Sequence, residues 1–218
     1  MEIFLIGANK GLGYEILLEA IRNKIKVNCL VRSSGRINFE SPYLKLFYGD
    51  ATNLNEMINS ISNSKAIISS INVTRKNIFP WSKIVNSEST ISDCSKLIVD
   101  IAKLKKINRV ITISAFGVGE TYKNIPKWFQ LLIKYSNLKY PYRDHEEHEK
   151  IISSSGLNWT IIRPVVLTNF KKNEKIKTTY ENYPKPSLII SRKSLAKFII
   201  RILNNKDFYQ KKPVVSKK

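Results

Sequence analysis

The stretch that decides the fold opens the chain: Met1-Glu2-Ile3-Phe4-Leu5-Ile6-Gly7-Ala8-Asn9-Lys10-Gly11-Leu12-Gly13. Glu2–Gly7 is a short apolar run closed by glycine, the pattern of a buried strand. Beyond it Leu12, Ile16, Leu17, Ala20 and Ile21 recur at helical spacing. The link between strand and helix reads Gly-x-x-x-Gly-x-Gly. Glycines there let the backbone turn tightly and approach a ligand, and the start of the helix offers free N–H groups to an anion. A glycine triplet alone is weak evidence. Here it follows a strand, opens an amphipathic helix and begins a βαβ repeat, the context such a loop needs. The stretch predicts a loop that cradles the pyrophosphate of a dinucleotide.

The rest of the chain repeats that alternation. Strands are predicted at Lys26–Val31, Leu44–Tyr48, Ala66–Ile71, Arg109–Ser114, Trp159–Arg163 and Leu188–Ser191. Helices are predicted at Leu12–Lys24, Asn53–Ile61, Ser87–Lys105 and Lys193–Leu203, with a loop and further helices across Gly119–Ser155. Alternating strands and helices imply parallel βαβ units. The expected fold is therefore α/β: one Rossmann-type doubly wound domain over residues 1–218, its ligand crevice at the carboxyl ends of the strands and a small substrate-side region towards the C-terminus. The polar, lysine-rich stretch from Phe170 to Pro186 is expected to be a mobile loop over the crevice, and 211–218 a frayed tail.

The end of the second strand selects between cofactors. An acid about 20 residues beyond the glycine loop binds the ribose 2′-hydroxyl of NAD. This chain has Arg32 there, then Ser33, Ser34, Gly35 and Arg36, with no Asp or Glu from Lys26 to Arg36. Arginines can clamp a 2′-phosphate and serines can donate to it. The expected cofactor is NADP(H). After the third strand, Asp50 in Gly49-Asp50-Ala51 is placed either to accept from the adenine amino group or to cap the helix from Asn53.

Composition bounds the alternatives. The chain has 218 residues, 43% of them hydrophobic, which suits a globular core. No run approaches the roughly 18 apolar residues of a membrane span. The apolar start lacks a basic n-region and runs straight into the glycine loop, so it reads as a strand and not a signal peptide. Cys29 and Cys94 stand far apart in apolar periodic segments. That argues against a disulfide framework or a metal site and for a reducing, cytoplasmic setting. The formal charge of +20 accompanies 28 Lys, 20 Asn and 31 Ile. The lysines are scattered, so the surplus reads as the mark of an AT-rich genome and not as a nucleic-acid-binding surface. The sequence leaves monomer and homodimer open.

With those motifs in hand, the chain resembles the atypical short-chain dehydrogenase/reductase superfamily, and within it the NmrA-like and biliverdin-IXβ/flavin-reductase-like NAD(P)H-binding proteins. The resemblance rests on the glycine loop, Leu30-Val31-Arg32, Tyr48-Gly49-Asp50, Val110–Gly119, Glu149, Ser155–Pro164 and Ile190–Ala196. It implies that Gly7, Asn9, Lys10, Gly11, Leu12 and Gly13 touch the pyrophosphate. It places Ser70 and Ile71 near the ribose, Ala51 beside Asp50 on the adenine side, and Pro164, Val165 and Val166 past the nicotinamide. Ser114 matches the family's active-site serine.

Three groups are candidates for the proton donor: a Tyr-x-x-x-Lys pair, Tyr142 and His145. Classical members carry Tyr-x-x-x-Lys, in which the lysine charge lowers the tyrosine pKa. Tyr135–Lys139 has that spacing but sits ahead of the expected helix. Tyr142 is better placed, yet Glu146 follows four residues later, and a carboxylate raises a tyrosine pKa. His145, one turn from Glu149, is either a substrate-orienting group or a surface residue of the charged run 143–150. His145 and His148 do not amount to a metal site. Glu149 and Arg163 read as a partly buried ion pair. Phe116, Trp128 and Phe129 are candidates for an apolar substrate wall. Three readings remain: an oxidoreductase passing hydride between NADPH and a small planar or carbonyl-containing acceptor; a non-catalytic NADP(H) sensor or assembly factor; and, motivated by charge alone, a nucleic-acid-binding protein. A sugar-nucleotide epimerase would need a larger substrate lobe.

Overall fold

A computed structural model describes residues 1–33, 35, 37–170 and 174–218. Its strands are β1 (Glu2–Ile6), β2 (Lys26–Val31), β3 (Leu44–Tyr48), β4 (Ala66–Ser69), β5 (Arg109–Ile113), β6 (Asn158–Pro164), β7 (Val166–Thr168), β8 (Ile176–Thr179), β9 (Ile189–Ser191) and β10 (Val214–Lys217). Its helices are α1 (Gly11–Arg22), α2 (Leu54–Ile61), α3 (Thr90–Leu104), α4 (Lys127–Tyr135), α5 (Lys139–Ser153) and α6 (Arg192–Arg201).

Eight strands form one sheet in the order β3-β2-β1-β4-β5-β6-β10-β8. The first six run parallel, as a doubly wound sheet requires. Alternate β1 side chains feed two cores. Ile3 and Leu5 meet Ile16 and Leu17 of α1 and Phe198 and Ile199 of α6. Phe4 and Ile6 meet Met57 of α2, Ile98 of α3 and Ile152 of α5. With both faces covered, the central strands are mostly apolar and lack a clean alternation in sequence, and the polar side chains they do bury, such as Asn28 and Arg109, are hydrogen-bonded. Cys29 and Cys94 are free, buried thiols. Among the described residues no helix is long and apolar enough to cross a membrane.

Two expectations at the C-terminal end are corrected. The stretch 211–218 is not frayed: β10 lies between β6, to which it is parallel, and β8, to which it is antiparallel. Val214, Val215 and Ser216 are buried. Their β-branched pair carries the strand signal, which the four flanking lysines obscure. Nor does the described part of 170–186 form a free loop over the crevice. Ile176–Thr179 is the edge strand β8, and Glu174 accepts a hydrogen bond from the Ser191 N–H at 2.6 Å. The residues that reach the crevice from this region are Leu188 and Ile189.

Candidate active site

The order of winding reverses between β1 and β4, and there the strand ends part to leave a crevice. Gly7 stands at that point with φ +83°, and a Cβ on it would lie 2.9 Å from the Ser70 carbonyl. Gly13 is held more tightly still: its Cβ would lie 2.0 Å from the Gly7 carbonyl oxygen. Glycine at position 13 thus lets α1 pack directly on the loop. As a consequence Gly13 lies behind the loop and not on the crevice wall, whereas Gly7, Asn9, Lys10, Gly11 and Leu12 do line it. No side chain caps α1, and its first turn carries no acid. By contrast Asn53 caps α2 and Ser191 caps α6. α1 shares that lack of a side-chain cap with α3, α4 and α5, but it is the one whose first residues, Gly11 and Leu12, belong to the glycine loop and line the crevice, which suits an anion there.

The crevice has a volume of about 1210 Å³. On one side it is lined by Arg32, Asp50, Ala51, Ser70 and Ile71. Arg32 is exposed and forms no ion pair among the described residues. Ser33 is exposed but does not line the crevice; Ser34 and Arg36 lie outside the described residues. Asp50 accepts from the Thr52 N–H at 2.9 Å and from its hydroxyl at 2.8 Å. These bonds, with the charge of Arg32, hold the carboxyl below its usual range against some burial. Asp50 does not cap α2, which Asn53 does by accepting from the Asn55 and Glu56 N–H groups. Asp50 instead closes a tight turn onto Thr52 at the crevice wall.

Two arginines escaped the sequence reading. Arg192 leans over the loop, its Nε 3.9 Å from where a Gly11 Cβ would stand, while it donates to the Asn169 side-chain oxygen at 2.8 Å. Arg75 lines the crevice and donates to the Phe79 carbonyl at 2.9 Å. Burial lowers the pKa of both, with Glu15 partly opposing this at Arg192. Neither has a carboxylate within salt-bridge distance among the described residues. In a chain with 37 basic residues, nothing in the sequence set these two apart.

The far side of the crevice carries the reactive candidates. Ser114, Pro164, Val165 and Val166 line it, as do Tyr142 and His145. The Ser114 hydroxyl donates to Glu149 Oε1 at 2.6 Å. Glu149 also accepts from Arg163 Nε at 2.9 Å, pairs with it a second time through Nη2, and has Lys212 Nζ 3.6 Å away. Arg163 reaches on to Glu120. Burial alone would lower the Arg163 pKa, but the two carboxylates outweigh it and raise it. The expected Glu149–Arg163 pair is present, fully buried, with Ser114 tied into it. Lys212 joins from the segment expected to fray.

Burial raises the Tyr142 pKa, and its hydroxyl makes only a long 3.4 Å contact to the Phe116 carbonyl. The cause is burial and not Glu146. His145 is 4% exposed, so it is not a surface residue of a charged run. Its Nδ1 is buried and without a hydrogen-bond partner among the described residues. Burial, with His148 close by, pushes its pKa down to about 3 against the pull of Glu149. His148 is equally buried, with Nε2 2.8 Å from Thr112 Oγ1. Among the described residues no group of acids, histidines or cysteines could hold a metal. Tyr135 and Lys139 belong to different helices, separated by a break at Ser136, and Tyr135 is exposed outside the crevice. Phe116 and Phe129 form part of the apolar wall, while Trp128 stands at the rim, largely exposed.

The match to known proteins agrees with this geometry. A family model described as NAD(P)H-binding covers residues 7–206. The chain belongs to this NAD(P)H-binding family. Solved structures share the fold across almost the whole length. The oxidoreductase ylbE of Lactococcus lactis is 17% identical, with a TM-score of 0.80 over 100% of this chain and 91% of that one. A short-chain dehydrogenase/reductase of Veillonella parvula, solved in complex with NADP, is 16% identical, with a TM-score of 0.80 over 99% and 94%. ChuY of Escherichia coli O157:H7, an anaerobillin reductase, is 17% identical, with a TM-score of 0.80 over 100% and 97%. This NAD(P)H-binding chain thus has the oxidoreductase fold that its motifs resemble.

Proposed function

We propose that the protein is an NADP(H)-dependent oxidoreductase acting on a small planar or carbonyl-containing acceptor, of flavin-, tetrapyrrole- or quinone-like shape. One observation carries this reading: a single crevice runs from the glycine loop past Ser114 to an apolar compartment walled by Phe116, Ile125 and Phe129. The bare backbone of the loop and the uncapped start of α1 fit a pyrophosphate, so the dinucleotide would lie across Gly7, Asn9, Lys10, Gly11 and Leu12. Arg32 would meet a 2′-phosphate, Asp50 and Ala51 the adenine, Ser70 and Ile71 the ribose, and Pro164, Val165 and Val166 the nicotinamide. Arg192 and Arg75 add positive charge around the phosphates.

When bound, the cofactor supplies hydride. The chain's own groups fix what it meets. The Ser114 hydroxyl donates its hydrogen bond to Glu149, so towards the crevice its oxygen can serve only as an acceptor. Tyr142, with its pKa raised, is a poor acid. Neutral His145, which lines the crevice, is the group left to orient a substrate. A site with these groups works chiefly by alignment, and solvent supplies the proton. That favours a conjugated acceptor over an isolated ketone.

Calorimetry with NADPH and NADH, on wild type and Arg32→Asp, tests the proposal. Hydrogen bonds to a charged group contribute about 1.5–3 kcal/mol, so NADPH should bind at least about tenfold tighter than NADH. The substitution should abolish or invert that preference. Equal affinities, unchanged in the variant, would remove the NADP assignment. The commitment of Ser114 to Glu149 also supports a second reading, a non-catalytic NADP(H) sensor. Tight NADPH binding with no oxidation across a panel of flavins, quinones and carbonyls would select it.

A further inference from the structure

The rim of the crevice carries a surface that the cofactor reading does not use. It is made by the outward-facing side chains of two segments, 71–87 between β4 and α3, and α4 with its flanks, 121–143, whose inward-facing residues line the crevice. They are bonded into one face. Trp81 Nε1 donates to the Tyr135 carbonyl at 3.0 Å. The Asn137 N–H donates to the Pro80 carbonyl at 3.1 Å, and its side-chain amide to the Trp81 carbonyl at 2.9 Å.

This face is apolar and exposed. Ile78 is 94% exposed, Trp128 67%, Tyr135 64% and Leu131 55%, with Phe79 and Trp81 also more than half exposed. On α4, Trp128, Leu131 and Tyr135 follow i, i+3, i+7 spacing and share one side, while Ile133 turns to the interior. Large exposed apolar patches mark contact sites. The face is also basic without exception. None of the chain's 17 acids falls between 71 and 87 or between 121 and 143, whereas Lys76, Lys83, Lys123, Lys127 and Lys134 there are all exposed. Acid-free stretches of similar length occur elsewhere, at 150–173 and 182–206; what sets this face apart is that its lysines border exposed tryptophan, leucine, isoleucine and tyrosine.

Tryptophan, tyrosine and leucine on one side of a short helix, bordered by lysines, is the pattern of a helix that lies in a lipid interface. A second copy of the chain is a poor occupant, because a like face would set lysines against lysines. A nucleic acid would satisfy the lysines but leave Ile78 and Leu131 without apolar contact. We propose that this face docks on an anionic lipid bilayer and sets the mouth of the crevice, where Ile78 and Trp128 stand on the rim, against the lipid. Under the oxidoreductase reading, a lipophilic acceptor would then reach the crevice from the membrane side. Docking itself does not depend on that reading.

The test is co-sedimentation of the full chain, without cofactor, with vesicles of phosphatidylcholine alone or mixed with phosphatidylserine, some carrying brominated acyl chains. Trp159 is buried in the core, so quenching by bromine reports Trp81 and Trp128. Binding to the mixed vesicles with quenching is expected. Each basic residue at an anionic surface adds about fivefold to partitioning. Lys127→Glu/Lys134→Glu should therefore weaken binding more than tenfold. Leu131→Ser/Tyr135→Ser should lose the quenching. Both variants should keep the wild-type urea midpoint and NADPH affinity. Binding without quenching would mean adsorption by the general charge of the protein and would overturn the proposal. So would failure to bind, whether the chain is a monomer or a dimer that Leu131→Ser/Tyr135→Ser dissociates. Loss of NADPH binding with docking intact would overturn the functional reading alone.

Discussion

Two buried histidines give single residues a measurable hand in the stability of this fold. His145 and His148 sit side by side on α5, their rings 5.9 Å apart, and burial holds both pKa values near 3, below the ordinary 6.5. The folded state therefore refuses protons that the unfolded chain accepts. The resulting stability is complete above about pH 6.5 and falls as the pH drops towards 3. At pH 5 each histidine should account for a loss of about 2 kcal/mol relative to pH 7.5. Urea midpoints at the two pH values measure the loss. His145→Gln/His148→Gln should shrink the difference, because it removes both groups whose burial depresses proton uptake in the folded state. An unchanged difference in the double variant would assign the acid sensitivity to the carboxylates. Glu149 can be probed in the same way. Removing one partner of a buried ion pair costs about 3–5 kcal/mol. Glu149→Gln should approach the lower figure, since Glu120 still neutralises Arg163.

At the scale of elements, β10 separates what could be read from sequence from what could not. The six parallel strands were legible because each is a short apolar run closed by a turn, and β2 and β3 fall where the pattern puts them. The glycine loop was legible for a stricter reason: Gly13 has no room for a Cβ. β8 was hidden because edge strands are short and carry lysine, as exposed edges often do, and β10, inside the sheet, because lysines flank its two valines. Val214 and Val215 nonetheless bury fully, and a buried valine contributes about 2 kcal/mol. Ending the chain after Pro213 should therefore lower stability by on the order of 4 kcal/mol. It should also expose β6 and release β8 while leaving the Lys212–Glu149 contact in place. Thermal unfolding of the truncated chain checks this. A melting temperature equal to that of the full chain would restore the frayed-tail reading.

At the scale of the whole molecule, the site was half legible, and charge explains which half. Backbone geometry and apolar period mark the loop and the strand ends, so Gly7, Ser70, Ser114 and Pro164 were found. Which arginine or lysine matters cannot be read when basic residues outnumber acids 37 to 17. Arg75 and Arg192 therefore emerged only once their surroundings were seen. The burial of His145 was hidden by its acidic neighbours, because Glu146 and Glu147 point outward on the opposite side of α5. The same surplus has a global cost. A net charge of +20 repels itself across the whole surface. The exposed ion pairs Arg22–Glu19, Lys96–Asp93 and Lys150 with its two glutamates are too few and too solvated to offset it. Raising ionic strength from about 0.01 M to 0.15 M shortens the screening length from about 30 Å to about 8 Å. Repulsion between distant lysines then fades, while the buried Glu149–Arg163 pair is little screened. The melting temperature should rise over this range, by about 2–4 °C for each kcal/mol recovered. Sodium and potassium chloride should act alike. A fall in melting temperature with salt would mean that local attraction outweighs the global repulsion, and that the lysines are placed with more order than their scatter along the chain suggests.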